Sequence, residues 1–304
     1  MLKLPVIVAP MFLVSTPNMV IEAGKAGVIG SLPLLNARPV EQCAEWLQEV
    51  KDGLGNRPWA VNFICHKKTN SRYQEDLILI RDYQPPIVIT SLGHPGEVLE
   101  IVHAYGGLVY SDVATVKHAE KAAATGVDGL ILVCTGAGGH GGSLNPFAFI
   151  AAVKQFYEGT IILSGSISNG ADVVAARIMG ADYAFMGTRF LAADESHASE
   201  AYKQMVLDAT IEDILYTDSF SGVHANLLIP SIVKEGIDPT TLKSKEEVDF
   251  SHLVSVKAWR DIWSAGQGVT TVTKRETTKE IVETLVKEYA EALHTFVEIK
   301  ITNR

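Results

Sequence analysis

Short apolar runs rich in Val, Ile and Leu recur along the first 190 or so residues, each followed by a stretch with apolar positions at helical spacing. The runs cover 6–9, 28–32, 60–64, 87–90, 108–111, 129–133, 161–164 and 183–186. Helical spacing marks 18–25, 40–50, 73–83, 115–125, 146–157 and 170–179. Pro17 and Pro39 stand where two of these stretches begin, and Gly27, Gly126 and Gly180 stand where others stop. The runs are continuously apolar rather than alternating, which marks a parallel sheet covered on both faces. Eight strand–helix units at this spacing match the arithmetic of an α/β fold of the (β/α)8 TIM-barrel kind. An open doubly wound sheet fits the same pattern, because a linear sequence does not show closure.

After Arg189 the rhythm breaks. From 191 to 272 there are helical patterns interrupted at Pro230, Gly236 and Pro239, and no convincing pair of strands. A charged amphipathic segment, 276–298, then supplies the barrel's last helix. The expected organisation is a barrel domain made of 1–190 and 273–304, with a helical insertion, 191–272, covering the substrate side.

Composition narrows the function classes. Of the 304 residues, 47% are hydrophobic and 20% charged, as in globular proteins, and the formal net charge is −9. So acidic a chain has no electrostatic reason to seek nucleic acid or an anionic membrane. The apolar run 4–14 contains Pro5 and Pro10, is too short to span a bilayer and has no small-residue cleavage site after it, so it reads as a buried strand. Cys43, Cys65 and Cys134 are odd in number and far apart, with no CxxC pair. That speaks against a disulfide framework or structural zinc and fits a reducing cytoplasm. No HExxH or clustered Asp/His spacing suggests a metal.

In a βα barrel, chemistry sits in the loops after the strands. Ser164-Gly165-Ser166 follows the seventh run, and Gly187-Thr188-Arg189-Phe190 follows the eighth. Gly165 and Gly187 would let backbone N–H groups approach phosphate oxygens, with a helix N-terminus behind them and the hydroxyls of Ser166 and Thr188 alongside. Either glycine alone is also what a tight turn requires; the two together, in these places, favour phosphate. After the sixth run comes Thr135-Gly136-Ala137-Gly138-Gly139-His140-Gly141-Gly142, a loop bare enough for something flat to lie against its backbone. His140 there is a candidate catalytic base or hydrogen-bond donor. His66 and His94 follow the third and fourth runs and are candidates by location, whereas His103 and His118 fall in helical segments and read as surface or packing residues.

Together these pieces resemble the nitronate monooxygenase family, formerly grouped with the 2-nitropropane dioxygenases. The matching residues are Ala9-Pro10-Met11, Val61-Asn62, Ala137 to Gly142, Ser164-Gly165-Ser166, Gly187 to Phe190, and Ala258 to Gly268. The resemblance implies an FMN-dependent TIM-barrel flavoprotein. It implies that His140 is the active-site histidine, that Met11, Asn62 and Gly138 line the flavin or its ribityl chain, and that Gly165, Ser166, Gly187 and Thr188 hold the phosphate. The implied reaction oxidises an alkyl nitronate, or a neutral nitroalkane, with O2 to a carbonyl compound and nitrite. The implied assembly is a monomer or homodimer.

One departure stands out. Some relatives carry a basic residue near the flavin after the fifth strand, where this chain has Ser111-Asp112. Trp259 and Trp263 serve either as a pocket wall or, preferably, as anchors of the insertion. The same loops resemble NAD(P)H-dependent flavin reductases of the quinone and enoyl-acyl carrier protein types. Those would want a basic cluster for the nucleotide, and Lys243, Lys245 and Lys257 are interspersed with acids. A flavin-free barrel acting on a sugar phosphate would want Lys or Glu at strand ends, which are mostly Gly, Ser, Thr and His here.

Overall fold

In the computed structural model, which describes residues 2–245 and 261–298, the eight apolar runs form one sheet of parallel strands. These are β1 (Val6–Val8), β2 (Gly30–Pro33), β3 (Trp59–Ile64), β4 (Ile87–Ser91), β5 (Leu108–Val113) and β6 (Gly129–Val133). After a two-residue strand outside the barrel, β7 (Gly139–His140), come β8 (Thr160–Ser164) and β9 (Tyr183–Met186). Neighbours follow chain order from β2 to β6, then β8, β9 and β1. The seam between β1 and β2 is bridged in parallel at Ile7 and Ile29, where Val8 N–H donates to the Ile29 carbonyl at 2.8 Å. The sheet thus closes as a barrel, and the open doubly wound alternative falls away.

Closure explains the continuous apolar runs. Along each strand alternate residues point to opposite faces. One set, including Ile7, Ile29, Ile89, Tyr110, Ile131, Ile162 and Phe185, fills the barrel interior. The other, including Val6, Val8, Leu32, Val61, Val88, Leu130 and Leu163, packs under the surrounding helices. Those helices are α1 (Pro17–Ala26), α2 (Val40–Leu54), α3 (Tyr73–Tyr83), α4 (Gly96–Ala104), α5 (Val116–Ala123), α6 (Pro146–Val153) and α7 (Gly170–Met179). Their ends follow local chemistry. Thr16 caps α1 by accepting from the Met19 N–H, Pro17 occupies its first turn, and Gly27 ends it in the left-handed region at φ 107°.

The region beyond β9 contains α8 (Glu200–Asp208), β10 (Ile214–Thr217), β11 (Ala225–Leu228) and α9 (Ile229–Lys234). It is therefore not the helical insertion that the sequence suggested. β10 and β11 form an antiparallel pair, and β11 goes on to pair with β7, setting Ala225 opposite His140 and Asn226 opposite Gly139. Strands of four residues whose third partner lies in a distant loop leave little local signal, and their pairing depends on contacts far apart in sequence. The chain closes with α10 (Thr278–Glu298), packed against α7 and α1 through Ile281, Val282 and Leu285. Among the described residues no helix is long and apolar enough to cross a membrane.

Candidate active site

The inward-facing phase of the strands also builds the site. Two residues beyond the apolar interior, at the C-terminal ends, the same phase delivers Asn62 on β3, Ser91 on β4, Asp112 on β5, Val133 on β6, Ser164 on β8 and Gly187 after β9. All six line one cavity of about 770 Å³. It also receives Met11 from the loop after β1, Gly138 and His140 from the glycine-rich loop, and Gly165, Ser166 and Thr188 from the two loops thought to hold phosphate. The residues expected to hold the flavin and its phosphate therefore line one cavity with His140, whereas His66 does not. Leu191, Tyr202, Val223 and Ser264, from the segment that follows β9, line it too.

The glycines there have different reasons. A Cβ on Gly138 would come within 2.9 Å of the Gly266 nitrogen and 3.1 Å of the Ala265 carbonyl carbon, so this glycine lets two stretches of the chain's own backbone pass each other. Gln267 N–H donates to the Gly136 carbonyl at 2.9 Å, and the Asn226 amide donates to the Ala137 carbonyl at 2.7 Å. Much of the bareness of this loop is thus consumed by the protein itself. Gly165 is also locally required, because its φ is 113° and a Cβ would press on the Thr135 and Cys134 carbonyls. Gly187 is not. Its φ of −107° suits any residue, and a Cβ would meet only ordinary contacts, 3.5 Å from Ala9 and 3.6 Å from Met11. It leaves open the space that a side chain would take from the cavity.

His140 is held on β7 rather than on a mobile loop. Its Nε2 lies 3.4 Å from Ser221 Oγ, and burial pulls its pKa down to about 4, so the imidazole is neutral across the physiological range. On the β3–β5 side, Asn62 Nδ2 donates to Ser91 Oγ at 2.7 Å, and Ser91 in turn donates to Asp112 Oδ2 at 2.5 Å. Burial raises the Asp112 carboxyl to about 6, the Ser91 hydrogen bond opposing it.

The helix N-terminus invoked behind the phosphate loops is already engaged. Asp172 accepts from Ser168 and Asn169 N–H, Asn169 caps the Asp172 N–H, and Glu288 accepts from the Gly170 N–H at 2.8 Å. With two carboxylates at its first turn, α7 has little positive potential left for a ligand. What remains there is the Gly165-Ser166 turn, both residues at positive φ, and the loop at Gly187-Thr188, where Thr188 Oγ1 accepts from the Gly266 N–H at 2.8 Å.

Other candidates sort themselves by position. His94 lines the cavity, and so does His118 of α5, which is exposed as the surface reading expected but stands at the cavity's edge. His66 turns to Thr69 at 2.6 Å, and His103 to Asp128 at 2.9 Å. Trp263 stacks on Tyr202 with ring centroids 4.9 Å apart, under the Lys234 ammonium at 4.4 Å, and anchors the segment it belongs to; Trp259 lies outside the described residues. Arg189 points away from the cavity into a buried ion pair with Glu276 at 2.6 Å.

A barrel with this arrangement of loops invites comparison with known proteins, and a family model described as nitronate monooxygenase matches residues 32–288. The chain belongs to the nitronate monooxygenase family. It is 25% identical over 280 residues to the nitronate monooxygenase of Paraburkholderia phytofirmans, covering 77% of this chain and 76% of that protein. It is 29% identical over 248 residues to that of Neurospora crassa, covering 68% and 65%. Among solved structures it is similar to a nitroalkane oxidase from Streptomyces ansochromogenes, with a TM-score of 0.80, 24% identity and coverage of 96% and 97%. FabK from Thermotoga maritima gives a TM-score of 0.79 at 21% identity, covering 97% of this chain and 96% of that one. These two likenesses establish the fold. Membership of the nitronate monooxygenase family makes the chain an oxidoreductase.

Sequence reasoning missed two features of this nitronate monooxygenase family site: the Asn62–Ser91–Asp112 relay and the strand that fixes His140. The first had a signal. Counting inward positions two by two past the apolar interior of three consecutive strands places their polar residues side by side. The second had none, since β7 is two residues long.

Proposed function

We propose that this chain is an FMN-dependent enzyme that oxidises alkyl nitronates with O2 to a carbonyl compound and nitrite. The observation that carries the reading, beyond the family, is Gly187: a glycine demanded by neither backbone nor packing, in the same cavity as His140. A predominantly apolar cavity of about 770 Å³ with a few convergent polar groups suits a flat ring system. The Ser166 and Thr188 hydroxyls and the Gly165–Ser166 turn suit its phosphate, and Met11, Asn62 and Gly138 its ring and ribityl chain. When bound, FMN supplies the electron acceptor and the site at which O2 is reduced.

The protein supplies position and proton control. A neutral imidazole with pKa near 4 is a weak base, so His140 is better fitted to orient a nitronate that is already ionised than to strip the proton from a neutral nitroalkane. Its N–H donates to the substrate's nitro oxygens without adding a charge that would need a counter-ion in the cavity. Leu191, Tyr202 and Val223, from the segment that follows β9, form the cover on this side and keep water from the reacting carbon.

The test is anaerobic mixing of the FMN-loaded protein with propyl-2-nitronate, NADH or NADPH, followed by admission of O2. Bleaching by the nitronate alone, then nitrite and acetone in equal amounts on aeration, is the expected result. Bleaching by a nicotinamide nucleotide alone would move the activity to the reductase class. A protein that retains no FMN would overturn the flavin reading.

A further inference from the structure

Asp112 is the acid among the described residues lining the cavity, and nothing in the reaction above uses it. Its two oxygens differ. Oδ2 meets the Ser91 hydroxyl, whose oxygen also accepts from Asn62. Oδ1 is enclosed and has no hydrogen-bond partner among the described residues. An ionised carboxylate with one oxygen bare and no cation paired with it among the described residues costs far more than the neutral acid. The neutral acid keeps its contact with Ser91 either way, accepting from the hydroxyl at Oδ2 or donating to it. A flat ligand filling the cavity removes the water that still reaches the side chain and deepens that preference.

We propose that Asp112 is a neutral carboxylic acid whenever the cavity is filled, so that cofactor binding is coupled to the uptake of one proton. This rests on the FMN reading above. It takes the negative charge off the β3–β5 side of the cavity, so that an electron-rich ring meets none there.

The other titratable groups around Asp112 do not substitute for it. Cys65, beyond β3, is pushed up to about 12, first by burial and then by the Asp112 charge, and stays a neutral thiol. His94, His118, Lys121 and His140 line the same cavity, and their contributions are common to the wild type and an Asp112 variant. The same holds for the titration of the FMN phosphate. The measurable quantity is therefore a difference between wild type and Asp112→Asn, which keeps the shape and the acceptor for Ser91 but carries no proton to lose.

The experiment is FMN binding to the apoprotein by calorimetry at pH 7.5, in two buffers of different ionisation enthalpy. Wild type should take up about one proton more per FMN than Asp112→Asn, and the ratio of their dissociation constants should climb by up to about tenfold per pH unit above pH 6. An infrared difference spectrum of the wild type alone should show a protonated-carboxyl C=O stretch gained on FMN binding, which covers the case of a variant that does not fold. Equal proton uptake in both proteins, or no such band, overturns the proposal while leaving FMN binding intact. If FMN binds neither protein at any pH, the cofactor reading itself fails, and this inference with it.

Discussion

Asn226 donates its side-chain amide to the Ala137 carbonyl at 2.7 Å, tying the β10–β11 pair to the loop that carries His140. Both strands of that contact are also held by backbone pairing of Ala225 with His140. The position of the histidine is thus set by a segment far along the chain. Replacing Asn226 with Asp, which cannot donate, leaves a buried carbonyl facing a carboxylate and should cost roughly 1–3 kcal/mol. Urea unfolding reads the loss. Turnover with a nitronate should fall more than FMN affinity, since Gly138 alone of the residues proposed to hold the flavin lies on this loop. Equal losses in both would show that the contact holds the fold and not the histidine.

His140→Ala should retain FMN and lose turnover by roughly 10²–10³-fold, the loss expected when one preorganised hydrogen-bond donor is removed. Loss of flavin with unchanged activity per bound FMN would remove the histidine from the chemistry.

The pH dependence follows from the sign of the shift at the same residue. Burial lowers His140 from 6.5 to about 4, so the unfolded chain takes up the proton first as pH falls. Stability should therefore decline between about pH 6.5 and pH 4 through this group, and His140→Gln should flatten that part of the curve. The nitronate kcat/KM should show no inflection near 6.5. An inflection there, absent from His140→Gln, would mean that the imidazole titrates normally.

Asp112 shifts the opposite way, from 3.8 to about 6. Its fold contribution is most favourable below pH 3.8 and is lost as pH rises to 6, because the buried site resists ionisation. Apoprotein carrying Asp112→Asn should match the wild type at pH 3.5 and exceed it at pH 8 by up to roughly 3 kcal/mol. Chemical denaturation at the two pH values decides it.

Two glycines should behave oppositely. Gly138→Ala drives a methyl into the Gly266 and Ala265 backbone and should destabilise the apoprotein by roughly 1–3 kcal/mol. Gly187→Leu should leave the apoprotein's melting temperature nearly unchanged and weaken FMN at least about tenfold, since its side chain enters the cavity. Unaltered FMN affinity in Gly187→Leu would mean that the phosphate end lies elsewhere.

The eight strand runs, seven of the helices and the place of the site at the strand ends were legible because they rest on local pattern, short continuous apolar runs for strands and a period near 3.6 for helices. The helix α4, GEVLEIVHA, was not picked out, and its short span after a glycine–proline turn gives the pattern little length in which to repeat. The strand-end loops pointed to His140, Gly165, Ser166, Gly187 and Thr188, and the family resemblance added Met11, Asn62 and Gly138; closure brings all of them to one end. Tertiary structure decided the rest. Whether a glycine serves the backbone, as Gly138 does, or leaves room, as Gly187 does, depends on atoms more than a hundred positions away in one case and on empty space in the other. Whether α7 offers its N–H groups to a ligand depends on Glu288. The protonation of Asp112 and His140 is set by desolvation, which no single residue carries and only the folded enclosure creates.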